Sequence, residues 1–417
     1  MWNNHRAYGY MPPNRRVTRL LYKQAFSMLN EHLVMPGAPN SHLRSEELLE
    51  SLVYLSLGRR YAESGLEDLR CTREAPSADT LLRRLKMIGS DGAYTALVRA
   101  NDEVIVKFKR RGMFRMPVLA AMDLSDDRFY GKYNRYIGRS KRDRGTNLFY
   151  THASLHVVER GKRVTIFTVP VLPLDDDHAM MVERLILATR KRGIRMHTLL
   201  LDRGFFSVDV VNVLRRHRVR FLMPAVKNDR VKEVIKGFHL GRVSPMTRFT
   251  MKNADEQEAS FNLLIYRKED AKAGDPVHKR YIAFATNMSY EEAMAAFDEI
   301  PEEYRRRWGI ETGFRVQDNV QAKTTSTNYT IRTVYLMLSI FLYNLWVLAN
   351  AILAHSLGIE PKEPLMKLSH MVKFFTVWIE RPGDPPTLAG QQAARTQHRV
   401  WIATAMDGTA ELPRQRA

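Results

Sequence analysis

The sequence has little of what secreted and zinc-bound proteins depend on. It contains one cysteine in 417 residues, so no disulfide can form within the chain, and a cysteine-rich zinc site is excluded. The first residues, MWNNHRAYGYMPPNRR, hold no apolar core of the length that a signal peptide needs. These absences predict a protein of a reducing compartment, and we expect it in the cytoplasm.

Acidic residues are also scarce relative to basic ones. The chain has 45 Asp and Glu against 65 Lys and Arg, which gives a formal net charge of +20. Such an excess indicates a polyanionic partner, either a nucleic acid or an acidic membrane surface. The alternative is a protein from a basic proteome that has no special partner.

Long uncharged segments are rare, and the longest lies at residues 333–355 (TVYLMLSIFLYNLWVLANAILAH). It is long enough to span a bilayer. However, Asn344 and Asn350 interrupt it, and a helix that is apolar all round also fits the core of a large domain. The basic sequence before it favours the buried helix, and we expect no membrane partner.

Residues 15–115 have apolar residues at helical spacing. Ser77 or Asp79 can cap a helix, and the short basic helix that follows carries Arg83 and Arg84. A short basic helix after two others is typical of a helix-turn-helix DNA reader. A helical bundle with a solvated basic face explains the same pattern equally well.

The chain then changes to an α/β pattern. Between residues 116 and 224 the order is strand, hairpin strands, helix, strand, helix, strand, which predicts a mixed sheet. Three further β-rich runs follow within residues 225–288. Within the first of these regions, the run KYNRYIGRSKRDR mixes tyrosines with basic residues that include Arg139, Lys141 and Arg142. It is either a solvated loop or a segment that follows DNA phosphates, and we favour DNA contact.

Two aspartates stand at the ends of apolar runs. Asp123 follows the run PVLAAM, and Asp202 follows a second run that ends in LLL. Ligands of open α/β sheets bind at the carboxyl ends of strands, so these two side chains are candidates for one site. Asp126 and Asp127 are the nearest rivals of Asp123, but they fit a polar turn.

The segment PEEYRRRWGIETGFRVQDN predicts an amphipathic helix with an unusual polar face. Tyr304, Arg307 and Glu311 fall within a sector of roughly 60°. Arg315 extends that face by one turn. The simpler interpretation of Glu311 is an i,i+4 ion pair with Arg307 or Arg315, and it is compatible with a catalytic role. We expect Trp308 to be a core residue.

Asp123, Asp202 and Glu311 together predict a site for two divalent ions. Carboxylate oxygens suit Mg²⁺ or Mn²⁺. Two such ions can support in-line displacement at a phosphodiester by activating the attacking oxygen and stabilising the leaving one.

These residues resemble those of the DDE transposases of the insertion-sequence type. The subgroup (insertion sequence family four) has a Tyr-Arg-Glu-Lys signature, and Tyr304, Arg307 and Glu311 match it in type and spacing. Met122-Asp123 and the stretch DRGF that starts at Asp202 resemble the two aspartate motifs of the family. The resemblance extends over residues 115–355.

The resemblance implies an α/β fold: a ribonuclease H-like catalytic domain interrupted by a β-rich insertion, with an all-α N-terminal DNA-binding region and a helical C-terminal part. Residues 1–115 are predicted to bind DNA ends, residues 116–224 form the first part of the catalytic domain, and residues 225–288 form the insertion. Residues 289–355 complete the catalytic domain with the Glu311 helix and a buried apolar helix. Residues 356–417 form a C-terminal region of helices and loops.

The resemblance also implies a function. Such an enzyme cleaves DNA at transposon ends, joins the ends to target DNA and works as a homodimer in a synaptic complex, associated with the nucleoid. Its partner is double-stranded DNA, namely the terminal inverted repeats and the target. The residues expected to contact DNA are Tyr304, Arg307, Arg315, Lys323, Arg139, Lys141, Arg142, Arg83 and Arg84.

One position departs from the signature. The lysine should stand at 318, where this chain has Asp318. Arg315 or Lys323 can supply the missing charge, or Asp318 can contact a basic side chain. The third explanation is a decayed copy or a DNA-binding regulator without nuclease activity. The presence of all three carboxylates favours an intact enzyme.

Overall fold

The computed structural model describes residues 15–37, 42–159, 161–173, 177–360 and 363–381. The chain divides into two compact units. The helical unit comprises Met1–Arg115, Arg160–Lys162 and Phe314–Ala417, and the sheet unit comprises Met116–Glu159 and Arg163–Gly313.

Between residues 15 and 115, the described residues of the helical unit form five helices. Their apolar faces pack together, as the helical spacing of the leucines predicts. Ser77 caps the fourth helix, because its Oγ accepts a hydrogen bond from the Thr80 amide at 3.1 Å. The helices are α1 (Arg15–His32), α2 (Ser45–Leu57), α3 (Ala62–Arg70), α4 (Ala78–Ile88) and α5 (Ser90–Arg110).

The two arginines of α4 differ in environment. Arg83 is exposed, whereas Arg84 is only 5% exposed. The structure therefore corrects the expectation for Arg84, whose side chain lies inside the unit and presents no surface to DNA. The helical period places neighbouring residues about 100° apart, so one of two adjacent arginines on an amphipathic helix faces the core.

The described residues of the sheet unit form nine strands. The apolar runs around Ala120, Leu200 and Leu222 are fully buried, as expected for central strands that are covered on both faces. The strands are β1 (Val118–Phe129), β2 (Gly138–Asp143), β3 (Thr146–Val157), β4 (Val164–Val171), β5 (Met196–Leu201), β6 (Phe221–Pro224), β7 (Met246–Lys252), β8 (Glu258–Arg267) and β9 (Tyr281–Thr286).

All nine strands form one sheet in the order β2-β3-β1-β5-β6-β9-β8-β7, with β4 also paired to β3. Strands β1, β5 and β6 are parallel, and the others pair antiparallel. The predicted hairpin is β3 and β4. The β-rich runs expected as an insertion are β7, β8 and β9, and β9 pairs with β6, so these strands extend the central sheet.

In the residues that the structure describes, six helices accompany the sheet. Asp177 caps the first, accepting a hydrogen bond from the Ala179 amide at 2.8 Å. The third was not expected from the sequence, because its buried apolar residues are only Val231 and Ile235, which form a narrow stripe. The helices are α6 (His178–Lys191), α7 (Val208–Arg216), α8 (Asp229–His239), α9 (Tyr290–Ala295), α10 (Ile300–Arg305) and α11 (Trp308–Gln317).

The last two helices in the described part of the helical unit are α12 (Tyr329–Leu357) and α13 (Leu368–Glu380). By length and composition α12 could cross a membrane, but 78% of its most apolar window is buried within the protein. It packs on α5, where Asn344 Nδ2 donates to Asn101 Oδ1 at 2.8 Å. This contact pairs two side-chain amides that are both buried. Of the predicted C-terminal region, residues 382–417 lie outside the described part of the chain.

Candidate active site

The register of β1 and β5 brings two aspartates together. Met122 is the partner of Leu201 in the parallel ladder, so the next residues, Asp123 and Asp202, lie side by side on adjacent strands. Asp202 directly follows β5, as predicted. Asp123 does not follow its strand, because β1 continues to Phe129. The sequence prediction stopped the strand too early because the residues after Met122 are polar and only partly buried.

The third carboxylate comes from α11, and here the predicted single helix is broken. Tyr304 belongs to α10, Glu311 belongs to α11, and Arg307 lies in the turn between them. The Arg307 amide donates to the Tyr304 carbonyl at 2.9 Å, which tightens the chain at this point.

Gly309 allows this turn to approach the sheet. A Cβ atom at position 309 would lie 3.1 Å from Arg163 Nε and 3.3 Å from Val158 Cβ. A larger residue would require Arg163 or Val158 to move by a few tenths of an ångström. The glycine therefore helps to fix the start of the helix that carries Glu311.

Arg307 connects all three carboxylates. Its Nη1 donates to Asp123 Oδ2 at 2.9 Å, and its Nη2 donates to Glu311 Oε1 at 2.9 Å. Asp202 Oδ1 lies 4.0 Å from Nη2. The i,i+4 ion pair considered from the sequence is thus present, and it is part of a larger arrangement. We call Asp123, Asp202 and Glu311 the carboxylate triad.

Burial differs strongly among these groups. The Arg307 side chain is 9% exposed and that of Asp123 is 20%, whereas Asp202 and Glu311 are about half exposed. Burial raises the pKa of Asp123, and the nearby Arg307 opposes this shift. Burial lowers the pKa of Arg307, but Tyr304 and the triad raise it overall, above its ordinary value. Arg307 is therefore a permanent cation in the centre of the triad.

The triad fits divalent cations by its chemistry. Three carboxylates face one guanidinium, so ionised carboxylates leave a local excess of negative charge, and their oxygens are the ligands that Mg²⁺ and Mn²⁺ prefer. The half-exposed side chains of Asp202 and Glu311 are reachable from solvent.

The triad oxygens do not all lie within 4.8 Å of one another. Among the described residues, the group of three possible ligands that meets this distance is Glu31, His32 and Glu103 in the helical unit. There His32 Nε2 contacts Glu103 Oε1 at 2.5 Å, a hydrogen-bonded pair between α1 and α5. In the triad, the guanidinium of Arg307 contacts Asp123 and Glu311 and lies 4.0 Å from Asp202.

Tyr304 is tied to the end of β5. Its hydroxyl donates to the carbonyl of Leu201 at 3.3 Å, and its ring packs on Phe284 with ring centroids 4.9 Å apart. Burial raises the pKa of this phenol to about 12, so it is a neutral donor at physiological pH. The hydrogen bond holds the residue just before Asp202. Sequence reasoning, which expected a DNA contact, did not reveal this positioning role.

Trp308 is not a core residue, contrary to the expectation. Its side chain is 62% exposed, next in sequence to the buried Arg307. The helix is interrupted at residues 306–307, and Trp308 begins α11 with an exposed side chain. An exposed indole beside the triad is a feature that only the structure reveals.

The basic residues of β2 lie on the Asp123 side of the sheet. Arg139, Lys141 and Arg142 are exposed, and the guanidinium of Arg139 stands 5.0 Å from the ring centre of Tyr133. Strand β2 pairs with β3 around Phe149. Phe149 is the partner of Arg128 on β1, and Arg128 lies beyond Asp123 towards the carboxyl end of β1. We call these three residues the basic edge strand.

The remaining predicted DNA contacts belong to the helical unit. Arg315 and Lys323 are exposed there, and Lys323 Nζ lies 5.8 Å from the ring centre of Tyr61. Asp318, which replaces the signature lysine, is also exposed and begins a short 3₁₀ helix.

Comparison with known proteins points to one family. Residues 154–345 match the family model of the transposase DDE domain. The matched range is somewhat less than half of the chain. It includes Asp202 and Glu311 and starts after Asp123. No curated protein matches the sequence.

A solved structure shows the same fold. The chain is similar to piggyBac transposase, as seen in a cryo-EM structure of its synaptic complex with hairpin DNA, with a TM-score of 0.54 and 12% sequence identity. The similarity covers 96% of this chain and 84% of that one. At this identity the comparison establishes the architecture alone, a mixed α/β ribonuclease H-like fold with N-terminal helices.

Proposed function

We propose that this chain is a DDE transposase that cleaves DNA at transposon ends and joins those ends to target DNA. The observation that carries the proposal is the convergence of Asp123, Asp202 and Glu311 around Arg307 at the centre of a ribonuclease H-like sheet. The transposase DDE domain match over residues 154–345 supports it. We also propose the insertion-sequence subgroup with the Tyr-Arg-Glu-Lys signature, on the spacing of Tyr304, Arg307 and Glu311.

In this proposal the carboxylate triad holds two Mg²⁺ or Mn²⁺ ions. When bound, the two ions would activate the attacking oxygen and stabilise the leaving oxygen. The protein's own contribution is position. Strand β1 fixes Asp123, the Tyr304 hydrogen bond to Leu201 fixes the chain before Asp202, and Arg307 balances part of the negative charge.

The partner is double-stranded DNA, namely the terminal inverted repeats and the target. The net charge of +20 supports a polyanion. The basic edge strand lies on the Asp123 flank of the triad, where its cations can neutralise phosphates. We further propose a homodimer in a synaptic complex, acting at the nucleoid in the cytoplasm.

A nicking assay on DNA that carries the transposon ends tests the proposal. We expect Mg²⁺- or Mn²⁺-dependent nicking by the wild type. Asp123→Ala should lower it by more than about 100-fold, since loss of a direct ligand costs more than loss of an outer-shell partner. Asp126→Ala is the matched control, because Asp126 lies on the same strand and accepts a hydrogen bond from Thr151 Oγ1.

Both variants should bind DNA as the wild type does. Absence of nicking by the wild type on correct ends, with either metal, would refute the catalytic function. Nicking that survives Asp123→Ala would refute the assignment of that residue.

A non-catalytic DNA-binding protein is the second candidate, and Asp318 favours it. An exposed carboxylate at the place of the signature lysine would repel a phosphate. If the wild type binds transposon ends without nicking them and Asp318→Lys restores nicking, the chain is a decayed copy. If Asp318→Lys leaves an active wild type unchanged, other cations provide that contact.

A further inference from the structure

Three basic residues lie on the Asp202 side of the triad. They are near the ends of β5, β6 and β8, where β9 begins. Because β9 runs antiparallel to both neighbours, its start lies beside the ends of β6 and β8. Since β6 is parallel to β5, this is also the edge at which Asp202 stands. We call Arg203, Lys227 and Lys268 the cation cluster.

Lys227 is fixed in place by backbone carbonyls. Its Nζ donates to the carbonyl of His278 at 2.8 Å and to that of Tyr281 at 2.7 Å. An ammonium has three N–H donors, so one remains for another acceptor. The Lys268 amide donates to the carbonyl of Arg280 at 2.9 Å, which places Lys268 beside the same stretch of chain.

The three charges are close enough to repel one another. Burial lowers the pKa of Lys227, and Lys268 and Arg203 lower it further. Arg203 and Lys268 are exposed, and Lys227 is half-buried. In the described part of the chain, none of the three forms an ion pair within 4.0 Å, and the nearby Glu269 pairs with Arg305 instead.

Holding like charges together without a counter-ion is unfavourable unless an anion binds there. A half-buried lysine with a spare donor, flanked by an exposed lysine and arginine, matches the needs of a phosphate group. An ordinary solvated basic face would leave each side chain free to turn away, whereas the two carbonyls prevent this for Lys227.

We propose that Arg203, Lys227 and Lys268 bind successive phosphates of the DNA strand on the Asp202 side of the cleaved bond. Neighbouring strands lie about 4.8 Å apart, so β6 to β8 extend roughly 5 to 15 Å from β5. At about 3.4 Å of rise per nucleotide, the contacted phosphates lie within about four nucleotides of the cleaved bond. The inference rests on the proposed function and adds a contact surface that the signature does not include.

Binding measurements without divalent metal test this surface independently of catalysis. Fluorescence anisotropy with a random-sequence duplex of about 20 base pairs, between about 50 and 200 mM salt, gives the slope of log K against log salt. Lys268→Ala and Lys227→Gln should each make that negative slope less steep by about 0.9. A change of this size corresponds to the loss of one phosphate contact.

Lys191→Ala is the matched control. Lys191 is exposed and lies in the last turn of α6, shortly before β5 begins. It is therefore near the amino end of β5, whereas the cation cluster is near the carboxyl ends of the parallel strands. Its slope should equal that of the wild type. Lys268 is exposed, so its variant should melt with the wild type. The melting temperature of Lys227→Gln verifies that any loss of binding does not come from unfolding.

Wild-type slopes for both Lys268→Ala and Lys227→Gln would overturn the proposal. A site for a free anion would also overturn it. In that case millimolar inorganic phosphate would stabilise the wild type, Lys268→Ala would remove this stabilisation, and the salt slope for DNA would be unchanged. Reduced slopes together with a wild type that fails to nick would leave the cation cluster in place and refute the catalytic function, so the two failures are distinguishable.

Discussion

Arg307 Nη1 donates to Asp123 Oδ2 at 2.9 Å, although 184 residues separate them in the chain. The guanidinium is almost fully buried and also reaches Glu311. It therefore acts as the counter-ion of the triad in the protein alone. Two consequences can be tested, one for stability and one for metal binding.

Arg307→Gln should destabilise the protein in the absence of metal. Removing one partner of a buried ion pair costs about 3–5 kcal/mol, and the partial exposure of Asp123 reduces this to about 1–3 kcal/mol. Added Mg²⁺ should restore more stability to the variant than to the wild type, because the metal replaces the missing positive charge. Chemical denaturation with and without Mg²⁺ measures both effects.

The control is Arg306→Gln, which changes an exposed arginine in the same turn. It should melt with the wild type and respond to Mg²⁺ equally. If Arg307→Gln were as stable as the wild type without metal, the guanidinium would not be the counter-ion of the triad.

Tyr304→Phe removes the hydrogen bond to the Leu201 carbonyl and keeps the ring against Phe284. A hydrogen bond of this kind contributes about 0.5–1.5 kcal/mol. We expect nicking to slow by roughly 2- to 12-fold through a looser Asp202, with the affinity for DNA nearly unchanged. A loss of DNA affinity larger than the loss of rate would show instead that Tyr304 acts by contacting DNA.

Trp308→Ala should separate binding from folding. The side chain is 62% exposed, so its removal should change stability by no more than about 0.5 kcal/mol. Stacking of an aromatic ring on a base contributes about 1–3 kcal/mol, so affinity for DNA with unpaired bases should fall by roughly 5- to 150-fold. Trp308→Phe should keep part of that affinity. Equal binding by the alanine variant would exclude a DNA contact.

Two buried histidines on β3 predict acid sensitivity. Burial lowers the pKa of His152 to about 4 and that of His156 to about 3. Both rings are neutral in the folded protein and become protonated on unfolding below the ordinary pKa of 6.5. Their contribution to stability is therefore complete above about pH 6.5 and is lost as the pH falls towards 4.

Each histidine should lower the free energy of unfolding by about 2 kcal/mol between pH 7 and pH 5. Denaturation curves at the two pH values measure the loss, which His152→Leu should reduce by about that amount. His355→Gln, at an exposed position, serves as the control. An unchanged pH dependence in His152→Leu would contradict the predicted neutral state of this ring.

Local patterns in the sequence were sufficient for much of the sheet. The apolar runs of β5 and β6, the hairpin of β3 and β4, and the three strands β7 to β9 all appear close to their predicted positions. Each of these segments is either continuously apolar or alternates apolar and polar residues. Each is also long enough for this local pattern to identify it. Helix α8 was missed because its apolar stripe has only two buried residues.

Strand pairing could not be obtained in the same way. Nothing local shows that β9 pairs with β6, or that Asp123 lies within β1, because pairing depends on chain segments that are far apart. The break between α10 and α11 was missed for a related reason. The sequence there favours a continuous helix, and the close approach of Gly309 to the sheet is a tertiary constraint.

The sequence by itself determined which residue types were available for chemistry: a large excess of positive charge, two aspartates after apolar runs, and a tyrosine, an arginine and a glutamate at helical spacing. Only the tertiary structure decided how they act together. It buried Arg84 and exposed Trp308, it set Arg307 among three carboxylates, and it gathered Arg203, Lys227 and Lys268 at one edge. The physical reason is that burial and electrostatic contact depend on neighbours in space, which local spacing along the chain does not specify.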